Sequence, residues 1–274
     1  MTTRTRPRTR ALPLSRTRTR TRTRTTSVKG SATAVLKTET RLLLREPAAL
    51  FWVLAFPTLL LCILGAIPSN REHSTDLGGL RVVDLYVPIA VLLAVLTAGL
   101  QTMPPVLTGY RERGILRRMS TTPIRPGSLI GAQIALHGAA VALSSLLALA
   151  VGRIVFDVAL PRHLVGYGVA LALVTLATLA LGATVSAVCR TTKITQAVGS
   201  AVFFPAMFTA GVWMPVATMP DLLRHLVTLT PPGAAARALD ATAAGQWPSW
   251  THLGIMALWA VLLIAAARRW FTWE

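Results

Sequence analysis

Residues that could carry out chemistry are few in this chain, and their spacing assembles no reaction centre. Neither the histidines nor Cys62 and Cys189 have the short, regular spacing of a metal site, and no nucleophile is paired with a base. The five histidines are scattered, at His73, His137, His163, His225 and His252. The chain also lacks the Gly-x-x-x-x-Gly-Lys-Ser/Thr loop that cradles nucleotide phosphates. We therefore predict no catalytic residue, no metal site and no cofactor in this chain.

Three polar side chains interrupt long apolar stretches and favour binding over catalysis. Gln101, His137 and Gln196 each lie in a window that contains no charged residue. A polar or ionisable group in such surroundings is costly, so it is a candidate for function. The structural alternative is a neutral side chain that bonds to a neighbouring helix. We take the three as candidates for the lining of a polar pathway.

Charge outside the N-terminal tail is densest in the segment 109–127. Between Gly109 and Pro123 it reads Gly-Tyr-Arg-Glu-Arg-Gly-Ile-Leu-Arg-Arg-Met-Ser-Thr-Thr-Pro. The apolar residues of this stretch share one side of a short predicted helix, which leaves the basic residues for lipid headgroups or a protein partner. Gly114 would permit a positive φ or a close backbone approach. By composition alone, the segment is an ordinary charged loop between two apolar stretches.

Six long apolar segments must position these residues. The 274-residue chain is 53% hydrophobic and only 14% charged, whereas soluble domains have about 25% charged residues. Windows without charge cover residues 47–70, 85–110, 126–152, 163–189, 194–220 and 241–267. Each is long enough for the roughly 20 residues that cross a bilayer as a helix. The predicted membrane cores are Ala48–Ile67, Leu85–Leu107, Leu129–Val151, Leu164–Val188, Ile194–Val212 and His252–Ala267. Six buried helices of a soluble core are the alternative, but Leu171–Val188 has no polar face beyond threonine and serine.

The distribution of charge predicts the orientation of the chain. Lysine and arginine collect on the cytoplasmic side of membrane proteins. With the N-terminus inside, the cytoplasmic segments 1–47, 109–127, 189–193 and 268–274 have a net formal charge of +18, and the outer segments have none. The predicted fold is therefore an all-α integral membrane protein of the cell membrane, with six spans in 47–274 and both termini cytoplasmic.

Two different segments precede the first span. Residues 1–27 form an Arg-Thr-rich tail, in which repulsion between like charges and the low complexity of the sequence predict disorder. Residues 28–46 have apolar residues at helical spacing and predict an amphipathic helix on the cytoplasmic leaflet. Its candidate contact residues are Lys37, Arg41, Arg45 and Pro47. The tail could attract anionic lipid or nucleic acid, or have no specific partner.

The order of residues in 109–127 resembles the signature of ABC-2-type exporter membrane subunits. The matching residues are Glu112, Gly114, Leu116, Arg118, Thr122 and Pro123, while Ile115 and Met119 replace the usual Thr and Leu. Arg45-Glu46-Pro47 before the first span fits the same pattern, as do Gly211-Val212-Trp213-Met214-Pro215 and the later Pro220. The resemblance covers roughly 30–270 and looks closest to the daunorubicin-resistance-like drug efflux branch.

This resemblance implies a permease that exports a hydrophobic or amphipathic small molecule, such as a drug or an antibiotic. The chain would pair with a second copy of itself and with two copies of a separate ATPase, which would hold ATP and Mg. Contacts with that ATPase are expected at Glu112, Arg113, Gly114, Leu116, Arg117, Arg118, Thr122 and Pro123. The outer segment 213–250 would re-enter the membrane, and the outer gate would include Gly211, Trp213, Pro215 and Pro220.

Other functions remain open at this point. Lipid or lipid-linked saccharide would be the alternative cargo of the same family. An ion-driven secondary transporter would usually need carboxylates inside the spans, and no Asp or Glu lies in any of the six windows. A lipid-modifying enzyme would need clustered His, Asp or Glu at one membrane face. A membrane-tethered nucleic-acid binder would depend on the tail, which has no aromatic residues for base stacking, so we predict no nucleic-acid partner.

Overall fold

Long apolar helices make up most of the structure, a computed structural model that describes residues 28–77, 79–120 and 126–270. The described residues are helical apart from turns and an isolated β-bridge between His73 and Arg81. The predicted tail, 1–27, lies outside the described residues, as do Thr122 and Pro123. The helices are α1 (Val28–Leu43), α2 (Pro47–Ala66), α3 (Val82–Glu112), α4 (Ile115–Ser120), α5 (Pro126–Phe156), α6 (Leu164–Val188), α7 (Thr192–Thr209), α8 (Asp221–Thr228), α9 (Pro231–Ala243) and α10 (Trp250–Trp270).

Five of these helices are long and apolar enough to cross a membrane: α2, α3, α5, α6 and α10. They correspond to five of the six predicted spans. The remaining prediction, Ile194–Val212, corresponds to α7, which has 18 residues and is not among the five. Its sequence explains the difference, because Lys193 and Gln196 lie in its first turns and Pro205 lies in its interior. The sixth span therefore stays a prediction.

Helix α3 is the centre of the packing. In its most apolar window 72% of the residues are buried, against 28% for α2 and α10. It contacts α2, α5, α6, α7 and α9, whereas α6 packs most extensively against α10. The large side chains fully buried in its middle include Leu92, Leu93 and Leu96. The ends of α3 are therefore well placed to pass movement to most of the other helices.

A π-helical stretch, Thr97–Thr102, interrupts α3 near its middle. Gly182 of α6 and Gly199 of α7 lie against the backbone carbonyls of Gly99 and Leu100 in this stretch. A Cβ atom at Gly199 would lie 2.5 Å from the Leu100 oxygen, and one at Gly182 would overlap the Gly99 oxygen. The two glycines thus let α6 and α7 approach the backbone of α3 closely.

The connection between α1 and α2 differs from its prediction in detail. The predicted helix 28–46 ends at Leu43, and Leu44 and Arg45 form a turn, in which the Arg45 N–H donates to the Leu42 carbonyl at 3.0 Å. Pro47 begins α2, where its missing N–H costs nothing.

Arg81, directly before the start of α3, connects α3 to the end of α5. Its guanidinium forms an ion pair with Asp84 at 2.7 Å and donates to the Phe156 carbonyl at 3.0 Å. Because Arg81 precedes α3 and Phe156 ends α5, this contact fixes the far ends of the two helices together. The predicted outer segment 213–250 contains a 3-10 turn at Val216–Thr218 and the helices α8 and α9.

Candidate functional site

The charged segment after α3 turns sharply at Gly114. Helix α3 ends at Glu112, Gly114 has a φ of +65°, and its N–H donates to the Arg111 carbonyl at 2.9 Å. Glycine adopts this left-handed conformation at little cost, which is why it commonly follows a helix end. Of the two roles predicted for Gly114, the structure shows the positive φ, since a Cβ there would meet nothing within 4 Å. Helix α4 begins at the next residue, so Arg113 lies exposed at the tip of the turn.

Leu116 attaches α4 to the rest of the protein. Its side chain is fully buried and packs in a cluster with Val35 of α1 and Leu129 of α5. Leu116 therefore serves internal packing, and its predicted contact with a partner stays a prediction. Arg118 is exposed, while the side chain of Arg117 lies outside the described part of the chain.

Arg111 and Glu112 bind the neighbouring turn between α6 and α7. The Arg111 guanidinium donates to the carbonyls of Ala187, at 3.3 Å, and of Cys189, both at the end of α6. The Glu112 carboxylate accepts from the N–H of Thr192 at 3.1 Å and from its hydroxyl, at the start of α7. A cation thus caps a helix C-terminus and an anion caps a helix N-terminus, the favourable arrangement for both helix dipoles.

Glu39 is a buried carboxylate that the sequence reasoning missed. It is 7% exposed, and one of its oxygens accepts from the Tyr110 hydroxyl at 2.7 Å and from the Gln133 amide at 2.6 Å. Burial raises the pKa of Glu39 above its usual value, although the two hydrogen bonds act in the opposite direction. Its spacing of four from Val35, on the buried face of α1, could have revealed it.

Two basic residues of α1 lie on its other face. Lys37 and Arg41 are exposed, as are Arg45 and Pro47 in the following turn. Leu36 and Leu42 of the predicted apolar stripe are also exposed, at 36% and 42%. Helix α1 therefore offers a mixed apolar and basic surface that no other described element covers.

The polar residues proposed to line a pathway do not form one group. The Gln101 amide lies 3.4 Å from the Ser200 hydroxyl of α7, and Gln196, one turn before Ser200, is exposed. His137 is separate from them. It is 2% exposed, its Nδ1 lies 3.0 Å from the Gln133 carbonyl, and its Nε2 has no hydrogen-bond partner among the described residues. His137 therefore continues the polar chain from Glu39 instead.

The predicted gate residues surround the end of α7. Gly211 has a φ of +87° and ends that helix, with its N–H donating to the Phe208 carbonyl at 3.0 Å. The adjacent Val212 carbonyl accepts from the Tyr86 hydroxyl of α3 at 3.0 Å. Trp213 is 56% exposed, Pro215 is partly buried, and Pro220 is exposed. The turn is thus attached to α3, although its function as a gate stays a prediction.

Hydrogen bonds of charged and polar side chains therefore connect α1, α3, α5, α6 and α7 at one end of a bundle of apolar helices. This architecture defines a polytopic membrane protein. Residues 31–242 match the model of the ABC-2 type transporter family, and the chain belongs to that family. None of the curated proteins compared with the chain matches it. Family membership makes the chain a transport permease domain, and permeases of this family normally pair with an ABC ATPase.

Proposed function

We propose that this chain is the membrane subunit of an ATP-driven exporter, in which a separate ATPase binds the turn at Gly114 and the exposed face of α1. The observation that carries the proposal is the attachment of this turn to three helices. Leu116 fastens it to α1 and α5, and Glu112 fastens it to α7. A push on the turn would therefore move several helices as rigid bodies, as transport between two states requires.

The charges of the site favour a protein partner with an acidic surface. Arg113 and Arg118 are exposed beside the turn, and Lys37 and Arg41 are exposed on α1. The carboxylate of Glu112 is already bonded to Thr192, so the surface left for a partner is mostly basic. Complementary charge would speed the encounter with the partner and fix its orientation, and it would contribute less to the affinity.

The proposed topology keeps six spans, with both termini cytoplasmic and two copies of the chain forming the transport unit. The cargo proposed is a hydrophobic or amphipathic small molecule moving outward, with lipid or lipid-linked saccharide as the alternative. An apolar cavity of about 460 Å³ between α5 and α6 supports cargo of this type, since known ligand pockets are of about 300–1,000 Å³.

The experiment is ATP-dependent transport by the chain reconstituted with ABC ATPases from the same genome, beginning with any that a neighbouring gene encodes. Arg113→Glu should weaken ATPase binding and abolish transport of a fluorescent hydrophobic drug, while the chain remains in the membrane. Arg162→Glu is the matched control, because Arg162 is exposed before the start of α6, at the opposite end of that helix from the turn. Normal drug transport by Arg113→Glu would contradict the docking site. A wild-type complex that moves a labelled lipid and no drug would select the alternative cargo.

A further inference from the structure

The turn between α6 and α7 is held on both sides by consecutive residues of α3. Arg111 bonds to the last carbonyls of α6, and Glu112 bonds to the first residue of α7. Both side chains stabilise helix ends whose backbone groups have no partner within their own helix. Loss of either bond would therefore loosen the turn as well as remove a charge.

A second contact joins the same helices one turn deeper. The hydroxyls of Thr108 in α3 and Thr195 in α7 lie 2.9 Å apart, and Thr108 and Thr195 are 1% and 0% exposed. Gly109, next to Thr108, lies against the Thr192 side chain, which a Cβ would approach to 3.6 Å. The start of α7 therefore packs closely along the last turn of α3.

We propose that Arg111 and Glu112 are positioning residues that join the α6–α7 turn to the end of α3, so that both cytoplasmic turns move as one body. The exposed Arg190 and Lys193 of the α6–α7 turn then belong to the same basic surface as Arg113. Movement imposed on the Gly114 turn reaches α7 directly and does not have to pass through the membrane. This inference rests on the proposed function for its role in transport, but the join itself is a property of the chain alone.

The native Cys189 can report whether the α6–α7 turn stays attached to α3, and this measurement needs no partner protein. Its side chain is buried, at 5% exposed, and its carbonyl accepts from Arg111. Cys62 is the other cysteine, so the Cys62→Ser variant leaves Cys189 as the single thiol. The rate of maleimide labelling in nanodiscs then measures how often the turn opens.

Arg111→Gln and Glu112→Gln should each raise that rate by about tenfold or more, as expected when a hydrogen bond to a charged group is lost. Arg111→Lys keeps the positive charge but loses the forked geometry that reaches two carbonyls, and should give an intermediate rate. Arg113→Gln is the matched control and should label like the parent, because its side chain is not part of the join. Parent-like labelling of both Arg111→Gln and Glu112→Gln, in variants with normal helix content, would overturn the proposal.

A disulfide tests the common movement. Thr108→Cys and Thr195→Cys, combined with Cys62→Ser and Cys189→Ser, place two thiols where two hydroxyls now touch. If the turns move as one body, the oxidised and the reduced complexes transport drug equally. If the reduced complex transports drug and the oxidised complex does not, the two turns do not move as one body, and the proposal is overturned. A wild-type complex without transport would refute the proposed function instead, while the labelling rates would still decide whether the join exists.

Discussion

Glu39 shows how one residue can determine where the N-terminal helix lies. Val35 and Glu39 occupy the same buried face of α1, one turn apart. A carboxylate at such a site is costly unless it is hydrogen-bonded, and Tyr110 and Gln133 supply the bonds. The same bonds connect α1 to α3 and to α5. Glu39 therefore holds α1 in place by hydrogen bonds within an otherwise apolar contact.

We predict that the attachment of α1 weakens as the pH rises. Burial raises the pKa of Glu39, so the attached state binds its proton more tightly than the detached state does. The stabilisation is complete below the usual pKa of glutamate and is lost as the pH rises through the raised value. A nitroxide label at Lys37→Cys, in a background without native cysteines, should become more mobile on alkalinisation.

Glu39→Gln should remove this pH dependence, since a neutral amide keeps the shape and cannot titrate. Glu72→Gln is the control, because Glu72 is exposed between α2 and α3 and takes no part in the contacts of Glu39. Label mobility that still changes with pH in Glu39→Gln would show that another group is responsible.

At the scale of the helices, the glycines beside the π-helical stretch of α3 should tolerate no side chain. Gly182→Ala places a methyl group on the Gly99 carbonyl, and helix backbones cannot yield as flexible side chains do. Overpacking of this type costs about 1–3 kcal/mol. Gly168→Ala is the matched control on the same helix, because a Cβ there meets nothing within 4 Å. Thermal unfolding in detergent should show a lower midpoint for Gly182→Ala alone, and equal midpoints would contradict the close contact.

Helix α9 carries a carboxylate that destabilises it at neutral pH. Burial raises the pKa of Asp240 to about 6, and the nearby charge of Arg237 offsets this only in part. Asp240 therefore favours the folded state at a pH below its ordinary pKa, and this advantage is lost as the pH rises through about 6. The Asp240→Asn variant should be more stable than the wild type at pH 7.5, by up to about 3 kcal/mol.

The measurement for Asp240 is the unfolding midpoint at pH 5 and at pH 7.5. The gain from Asp240→Asn should be larger at pH 7.5, where the wild-type carboxylate is charged. Asp221→Asn on the neighbouring α8 is a suitable control, because Asp221 is exposed and paired with Arg224. A gain of the same size at both pH values would mean that the charge of Asp240 has no effect on stability.

For the whole molecule, the sequence predicted local properties well and contacts between distant segments poorly. Windows without charge gave five of the helices, because an apolar span depends only on neighbouring residues. The Gly114 turn was predictable for the same reason. Arg111 was missed, since its partners lie 76 and 78 residues further along the chain. Nothing in its local pattern distinguishes it from Arg113.

The number of spans is the last property that belongs to the whole molecule. At 1.5 Å per residue, α7 is about 27 Å long, close to the roughly 30 Å thickness of the hydrocarbon core. Lys193 lies at its first turn, where a long side chain can extend to the interface. If α7 did not cross, Arg268 and Arg269 would lie on the side opposite Arg45, against the usual cytoplasmic location of positive charge.

We therefore predict that α7 crosses the membrane and that the chain has six spans. Single cysteines at Arg45, Lys193, Asp221 and Arg268, in the background without native cysteines, can be labelled in intact cells with an impermeant maleimide. Only the cysteine at Asp221 should react, because the other three would face the cytoplasm. With five spans, positions 193 and 221 would react alike, and positions 45 and 268 would differ. Since an odd number of spans must separate the two ends of the chain, the pair at 45 and 268 decides the question without any assumption about α7 itself.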